Sequence, residues 1–479
     1  YFIGKGVWNT NSQIKKKGFV TLSVLFNILT LGYFKYAYFF TESFNKMFHT
    51  KHEVFNVFAQ MGNSVFGEGS FVDYIVLPVG VSFFTFQSIS YVVDIYRKEV
   101  NPVKNFFDYA FFVSFFPQLV AGPIVRARDF IPQISQPYKL NHTDFSWSII
   151  QIVKGFIKKI VLADYIAIHF IDKVVDAPEA FPGFISILAM WGYSLQIYGD
   201  FSGYTDIAIG VSRLMGFKLL ENFNSPYKAI SVADFWRRWH KSLGSWLRDY
   251  LYIPLGGNRS GGIGTYIATM VILIFMIFIT QWYWLLFIYL GLLITYIGVS
   301  LIFPGFKKYV HRDLNLLITM VIGGLWHGAS ENFVIWGAMN GAALIFYNHW
   351  RKISPYENSS GLITRFWRIL ITFNFITFTR IWFRLEDDGA PVNMLNQIWY
   401  HFDLNTETFN TLMIGFDTAL YVMIFGYVLH WLPSKFKDFG ERKFTNLPML
   451  IQSIVVAILF IIIYQAFSDT FKPFVYFQF

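Results

Sequence analysis

Long apolar runs separated by short polar joints set the pattern of this chain. Stretches of the roughly 17–25 residues that a helix needs to cross a bilayer occur near 19–40, 74–95, 147–171, 183–200, 264–281, 284–302, 314–330, 332–348, 366–384, 412–431 and 448–466. The pattern predicts an all-α polytopic membrane protein with about eleven spanning helices. Two further stretches read as broken or re-entrant segments. Residues 107–123 are apolar but short and hold Pro117, Gly122 and Pro123, and residues 201–217 are interrupted by glycine and charge. Irregular backbone at membrane depth is tolerated only where it is buried in protein or lines a cavity.

Composition strengthens this picture. The 479 residues are 54% hydrophobic and 14% charged, against about 25% charged in soluble domains. One continuous membrane domain over 1–479 is therefore expected, rather than a series of soluble domains. The chain has no cysteine, so disulfides and thiolate chemistry are excluded. It opens on Tyr1, and missing N-terminal sequence is expected. No signal peptide is expected, because the first apolar run follows Lys15, Lys16 and Lys17.

The net charge of +9 sits mostly in short joints, which points to topology and anionic lipid rather than to nucleic acid. Lys15–Lys17, 97–104, 237–259, 306–312, Arg351-Lys352 and 435–443 are basic. The 172–182 and 386–408 loops and the tail after Asp469 are polar to acidic. The positive-inside rule puts the first group in the cytoplasm and the second outside. No internal repeat is visible, which argues against an inverted-repeat transporter.

Residues 231–259 read SVADFWRRWHKSLGSWLRDYLYIPLGGNR. Ser231 and Asp234 form a capping-box pattern that starts a helix, and Pro254 with Gly256-Gly257 stops it. At 100° per residue, Phe235, Trp239, Leu243, Trp246 and Tyr250 share one arc, and Arg237, Arg238, Lys241 and Arg248 lie opposite. This predicts one interfacial amphipathic helix. The basic stripe is either a lipid anchor or a phosphate site for a nucleotide-containing donor. His240 falls on the apolar arc, as a hydrogen-bonded structural histidine or a functional one.

His327 is the sharper signal. It lies in LNLLITMVIGGLWHGAS (314–330), a run with no charged side chain. An ionisable group in such a run is expensive and therefore a functional-site candidate, and histidine suits proton transfer near neutral pH. The alternative is a packing histidine bonded to a carbonyl. The apolar runs on either side of Glu331 form a hairpin that leaves and re-enters the cytoplasmic side, with His327 near its turn.

The segment DFWRRWHKSLGSWLRDYLYIPLGGNR followed by GGLWHGAS resembles the membrane-bound O-acyltransferase family (MBOAT), and within it the membrane subunits of bacterial alginate O-acetyltransferases. The stretches at 77–97, 115–130, 155–167 and 195–227 agree, so the likeness covers most of residues 18–350. Between Gly257 and Gly323 the chain carries an inserted apolar pair, 264–302, longer than in those relatives. Family members also begin with further membrane segments.

The resemblance implies a ring of tilted and broken helices around a central tunnel. It places the family's histidine at His327 and a second one at His240. It implies acetyl transfer from acetyl-CoA or a related cytoplasmic thioester, used as substrate with no tightly bound cofactor, to a polysaccharide hydroxyl or a periplasmic partner protein. The setting would be the bacterial inner membrane. His327 would act as general base, or carry the acyl group. The oxyanion would be met by backbone N–H groups near Gly323, Gly324 and Gly328, or by His240. Trp326, Asn258, Asn224, Asp200, Arg237, Arg238, Lys241 and Arg248 are the further candidates for substrate or donor contacts. Asp200 and Asp206 read more readily as structural partners of Arg213 or a tyrosine, and Asn222, Asn224 and Asn258, like Gln118 and Arg126 around the Gly122-Pro123 break, are as readily structural as substrate-orienting. His349 and His430 read as interfacial. No metal-ligand spacing occurs, so no metal is expected. Two other functions remain open: D-alanyl transfer to teichoic acid, and a proton-coupled transporter or flippase using His327.

Overall fold

The computed structural model describes residues 1–119, 121–259, 261–387, 389–467 and 472–474. Their regular secondary structure is all helical, with no strand among these residues. They fall into two compact units. The first comprises Tyr1–Phe115, Arg126–Ile131 and Trp246–Gly341, and the second Phe116–Val125, Pro132–Ser245 and Ala342–Phe479.

The first unit is built on the Gln13–Phe48 helix, whose N-terminus is closed by the Ser12 side chain accepting from the Lys15 N–H. Val81–Tyr96, Ile263–Thr280, Trp284–Ile302 and Phe306–His327 complete it, with the first half of Glu331–Trp350. The inserted pair, Ile263–Thr280 and Trp284–Ile302, is apolar on nearly every face and little buried, as suits helices that meet lipid. The hairpin formed by Phe306–His327 and Glu331 onward packs closely because it uses glycine. A Cβ on Gly324 would lie 2.3 Å from the Phe333 carbonyl oxygen, and one on Gly337 would lie 2.5 Å from that of Met320.

The second unit centres on Gly183–Leu214, a continuous helix of 32 residues. This overturns the expected break across 201–217. Its glycines do not interrupt the helix; they let another one approach. A Cβ on Gly203 would stand 2.7 Å from the Gly155 oxygen, and one on Gly210 would stand 2.8 Å from the Ser148 oxygen. The partner is His142–Phe156, which runs on through π-helical turns over Ile157–Asp164. Small residues on facing helices are the usual route to close backbone contact in apolar surroundings. The charges on the two helices meet as pairs, Lys158 with Asp206 at 2.7 Å and Lys159 with Asp200 at 2.5 Å.

Among the described residues three helices, Gln13–Phe48, Ile263–Thr280 and Trp284–Ile302, are long and apolar enough by themselves to span a bilayer, and Thr406–Gly415 with Asp417–Trp431 would add a fourth span bent by 87°. Most of the other expected spans are present as helices that carry buried polar side chains. Examples are Gln87 and Asp94 in Val81–Tyr96, and Arg380 in Leu362–Arg384. The 107–123 stretch is broken as expected, with Phe106–Ser114 and Phe116–Leu119 meeting at an extended Phe115.

The hairpin contact predicts that Gly324→Ala destabilises the chain by about 1–3 kcal/mol, the usual effect of overpacking. Thermal unfolding of the detergent-purified protein measures it. An unchanged midpoint would mean that the two helices do not need this close approach.

Candidate active site

The last carbonyls of any helix lack intrahelical partners. At the end of Phe306–His327 those groups are taken by side chains of Gln13–Phe48. Lys35 Nζ donates to the carbonyls of Trp326 at 2.8 Å and His327 at 2.9 Å. The Tyr36 hydroxyl donates to Leu325 O at 2.6 Å. The ammonium also lies at the negative end of the helix dipole. Gly328 then turns out of the helix, and it must be small, since a Cβ there would fall 2.0 Å from the Phe333 ring.

The His327 side chain is buried, with 4% of its surface exposed. Its ring stands edge-on to Trp326 (5.0 Å, 72°) and to Trp336 (5.2 Å, 88°). Trp326 in turn stacks on Phe86 (5.2 Å), and Phe86 stacks on Trp246 (3.8 Å). The imidazole is therefore held from two directions, by its backbone through Lys35 and by its ring through an aromatic pile.

His240 belongs to the second unit. The expected single helix over 231–259 begins as read, with the Asp234 N–H donating to Ser231 Oγ at 3.1 Å. It is interrupted midway, giving Val232–Arg238 and Lys241–Leu247, followed by a π turn at Arg248–Tyr252. His240 sits in the gap with φ +44°, a left-handed conformation that is unfavourable for a residue with a Cβ. Asn222 holds it there. Its Oδ1 accepts from the Ser242 N–H at 3.1 Å and the Ser242 hydroxyl at 2.9 Å, and lies 3.2 Å from His240 Nδ1. Its backbone oxygen accepts from the Lys241 N–H at 2.9 Å. The His240 ring meets Phe201 edge-on at 4.6 Å. Burial pushes its pKa down to about 3, so the imidazole is neutral at pH 7.

The break also redistributes the basic stripe. Arg237 is exposed and only distantly paired, 3.8 Å from Asp234, while Arg238 reaches Asp234 at 3.0 Å and Lys241 lies 4.0 Å from Glu221. Arg248 is in the first unit, bonded to Asp249 at 2.7 Å. There Asp249 gathers Arg248 with basic residues that the sequence reading did not group with it. Arg126 bonds its carboxylate at 2.6 Å, Arg128 lies at 3.4 Å, and Arg97 donates to its backbone oxygen at 2.9 Å. Burial opposes ionisation of Asp249, but Arg248 and Arg126 outweigh it and hold the carboxyl below its usual range.

Other candidates resolve individually. Gly323 and Gly324 lie inside the Phe306–His327 helix, where their N–H groups are engaged by carbonyls one turn back. Gly328 is past the helix end. Asn258 accepts from the Tyr252 hydroxyl at 2.7 Å on an exposed turn. Asn224 acts through its backbone, donating to Arg238 O at 2.9 Å. Asp200 pairs with Lys159 and not with Arg213, which binds Asp144 instead. His430 is not interfacial: it is 3% exposed and accepts from the Tyr227 N–H at 3.2 Å.

Lys35 is the side chain whose removal should be felt at His327. Lys35→Met should leave two buried carbonyls unmet, at about 1–3 kcal/mol. Hydrogen exchange should accelerate within residues 324–330 more than in the Gly183–Leu214 helix. Equal exchange in both would show that Lys35 does not fix this helix end.

Comparison with known proteins agrees with these features. A model of the membrane-bound O-acyltransferase family matches residues 97–296. A probable alginate O-acetylase of Pseudomonas aeruginosa is 33% identical over 437 residues, covering 89% of this chain and 68% of the relative. A peptidoglycan O-acetyltransferase of Helicobacter pylori is 32% identical over 421 residues, 82% of this chain and 67% of the relative. A teichoic acid D-alanyltransferase of Bacillus subtilis is 29% identical over 309 residues, 63% of this chain and 67% of the relative. With a buried histidine fixed at the end of an apolar helix and this likeness over most of its length, the chain belongs to the membrane-bound O-acyltransferase family and is a membrane acyltransferase.

Proposed function

We propose that this acyltransferase moves an acetyl group from a cytoplasmic thioester, such as acetyl-CoA, toward a hydroxyl of an extracytoplasmic glycan or of a partner protein on that side of a bacterial inner membrane. The observation that carries the reading is His327, a buried imidazole immobilised at a helix end by Lys35 and by the rings of Trp326 and Trp336. A general base must be oriented before it can act, and this setting supplies orientation from both backbone and ring.

In the proposed reaction neutral His327 accepts the proton of the attacking hydroxyl. The oxygen forms a bond to the thioester carbonyl carbon. The carbon–sulfur bond then breaks, and the imidazolium returns the proton to the departing thiolate. The basic cluster of Arg97, Arg126, Arg128 and Arg248 suits the phosphates of a nucleotide-bearing donor, because guanidinium forks match phosphate oxygens. Arg97 and Arg248 lie in segments that the positive-inside rule assigns to the cytoplasm. The higher identity and longer matches to O-acetylating relatives favour acetyl over D-alanyl as the transferred group.

Membrane vesicles supplied with labelled acetyl-CoA and an unacetylated glycan provide the test. His327→Ala should lower label transfer by at least the roughly 10²–10⁴-fold that a general base contributes, with the thermal midpoint retained. A folded variant that still transfers label would remove His327 from the chemistry. Movement of substrate without label transfer in the unaltered protein would instead favour a transporter.

A further inference from the structure

The second unit encloses a polar cavity of about 260 Å³ that the reaction described above does not use. Its wall includes Lys159, Asp164, Tyr193, Gln196, Asp200 and Arg384. Lys159 Nζ sits between Asp164 at 2.8 Å and Asp200 at 2.5 Å, and Arg384 bonds Asp172, also on the wall, at 3.1 Å. The charges are thus matched within the protein. Two neutral groups are not. The Tyr193 hydroxyl and the Gln196 Oε1 are buried, line this cavity and have no hydrogen-bond partner among the described residues. Tyr193 is 1% exposed. Buried polar atoms are nearly always bonded to protein or water, so these two face whatever occupies the cavity, and a ligand hydroxyl can replace water there.

The lining narrows the ligand. Four carboxylates and three cations leave the wall close to neutral, and the cations already engage the acids, so neither a metal ion nor a small anion finds a free field. Alternating donors and acceptors with an amide and a phenol suit a polyhydroxylated, uncharged surface. The volume lies below the roughly 300–1,000 Å³ of pockets that take drug-sized molecules, so it fits one ring of a polymer. Asp172 and Glu386 line the cavity at the start of the 172–182 and 386–408 loops, which the positive-inside rule places outside the cell.

We infer that this cavity is a subsite that binds one sugar ring of the acceptor glycan from the extracytoplasmic side. The inference rests on the proposed sidedness and glycan acceptor. Tyr193 would donate to one ring hydroxyl and Gln196 would accept from another. Both are positioning residues and take no part in the proton transfer.

The full chain in lipid nanodiscs tests this, with short unacetylated oligosaccharides prepared from alginate and from peptidoglycan as probes. Tyr193→Phe and Gln196→Leu keep the ion pairs and remove the two polar atoms. Each should weaken direct oligosaccharide binding by about tenfold, the worth of one hydrogen bond, and raise the acceptor KM similarly. Neither should alter kcat or the slow release of acetate from labelled acetyl-CoA without acceptor. In the unaltered chain, saturating oligosaccharide should slow hydrogen exchange around residues 190–200. Absence of that protection, or unchanged affinity in both variants, would overturn the subsite. A parallel fall in acetate release would also overturn it by marking a structural role. If the unaltered chain binds oligosaccharide but shows neither acetate release nor transfer, the proposed reaction fails while the subsite stands.

Discussion

Everything proposed for the first unit depends on how one helix ends. The carbonyls that close Phe306–His327 have no partners of their own, and in apolar surroundings leaving them open is expensive. Lys35 and Tyr36 meet them from a helix nearly three hundred residues earlier in the chain. The same contacts fix the backbone from which the His327 ring projects. Because the ammonium binds carbonyl oxygens at a helix C-terminus, its own burial is eased by the dipole there. Stability and orientation come from one interaction, so the site could not loosen without the hairpin loosening too.

The second unit meets the same difficulty differently. His240 lies where a helix should have continued, and its left-handed backbone is sustained by Asn222. Asn222 supplies both a side-chain and a backbone acceptor to the residues that the break exposes. A side chain that satisfies several backbone and hydroxyl donors can hold a strained conformation that the local sequence would not choose. The strain persists because the surroundings over-determine it, and such over-determination is common where a side chain must be presented in one direction.

Much of this was legible in the sequence, and the exceptions share a cause. The all-helical architecture, the hairpin with His327 at its turn, the Ser231 cap and the break near Pro117 all follow from local pattern. The continuous Gly183–Leu214 helix did not, because glycine marks flexibility in a sequence but serves close packing once His142–Phe156 lies against it. The interruption at His240 was hidden for a similar reason: a helical projection assumes uniform rotation, and the residue that breaks it, Asn222, lies outside the segment. Lys35 reads as an incidental charge in an apolar run until its distant acceptors are known. The cluster around Asp249 joins residues from 97, 126–128 and 248–249, and no periodicity within any one segment could assemble it.

These exceptions indicate how polar groups function inside an apolar body. Lys159 and Asp200, or Arg380 with the Tyr227 hydroxyl at 2.7 Å, are buried charges that are matched by design of the fold, since an unmatched one would be far costlier than any packing gain. Where matching is complete, the group is scaffold. Where a polar atom stays unmet beside open space, as at Tyr193 and Gln196, the fold tolerates a penalty that a ligand or ordered water removes. The distinction separates structural from recognition polarity without reference to residue type. It also explains why Asp200, a candidate on sequence grounds, belongs to the frame of the cavity, whereas two neutral residues that carry no charge signal at all form its binding face.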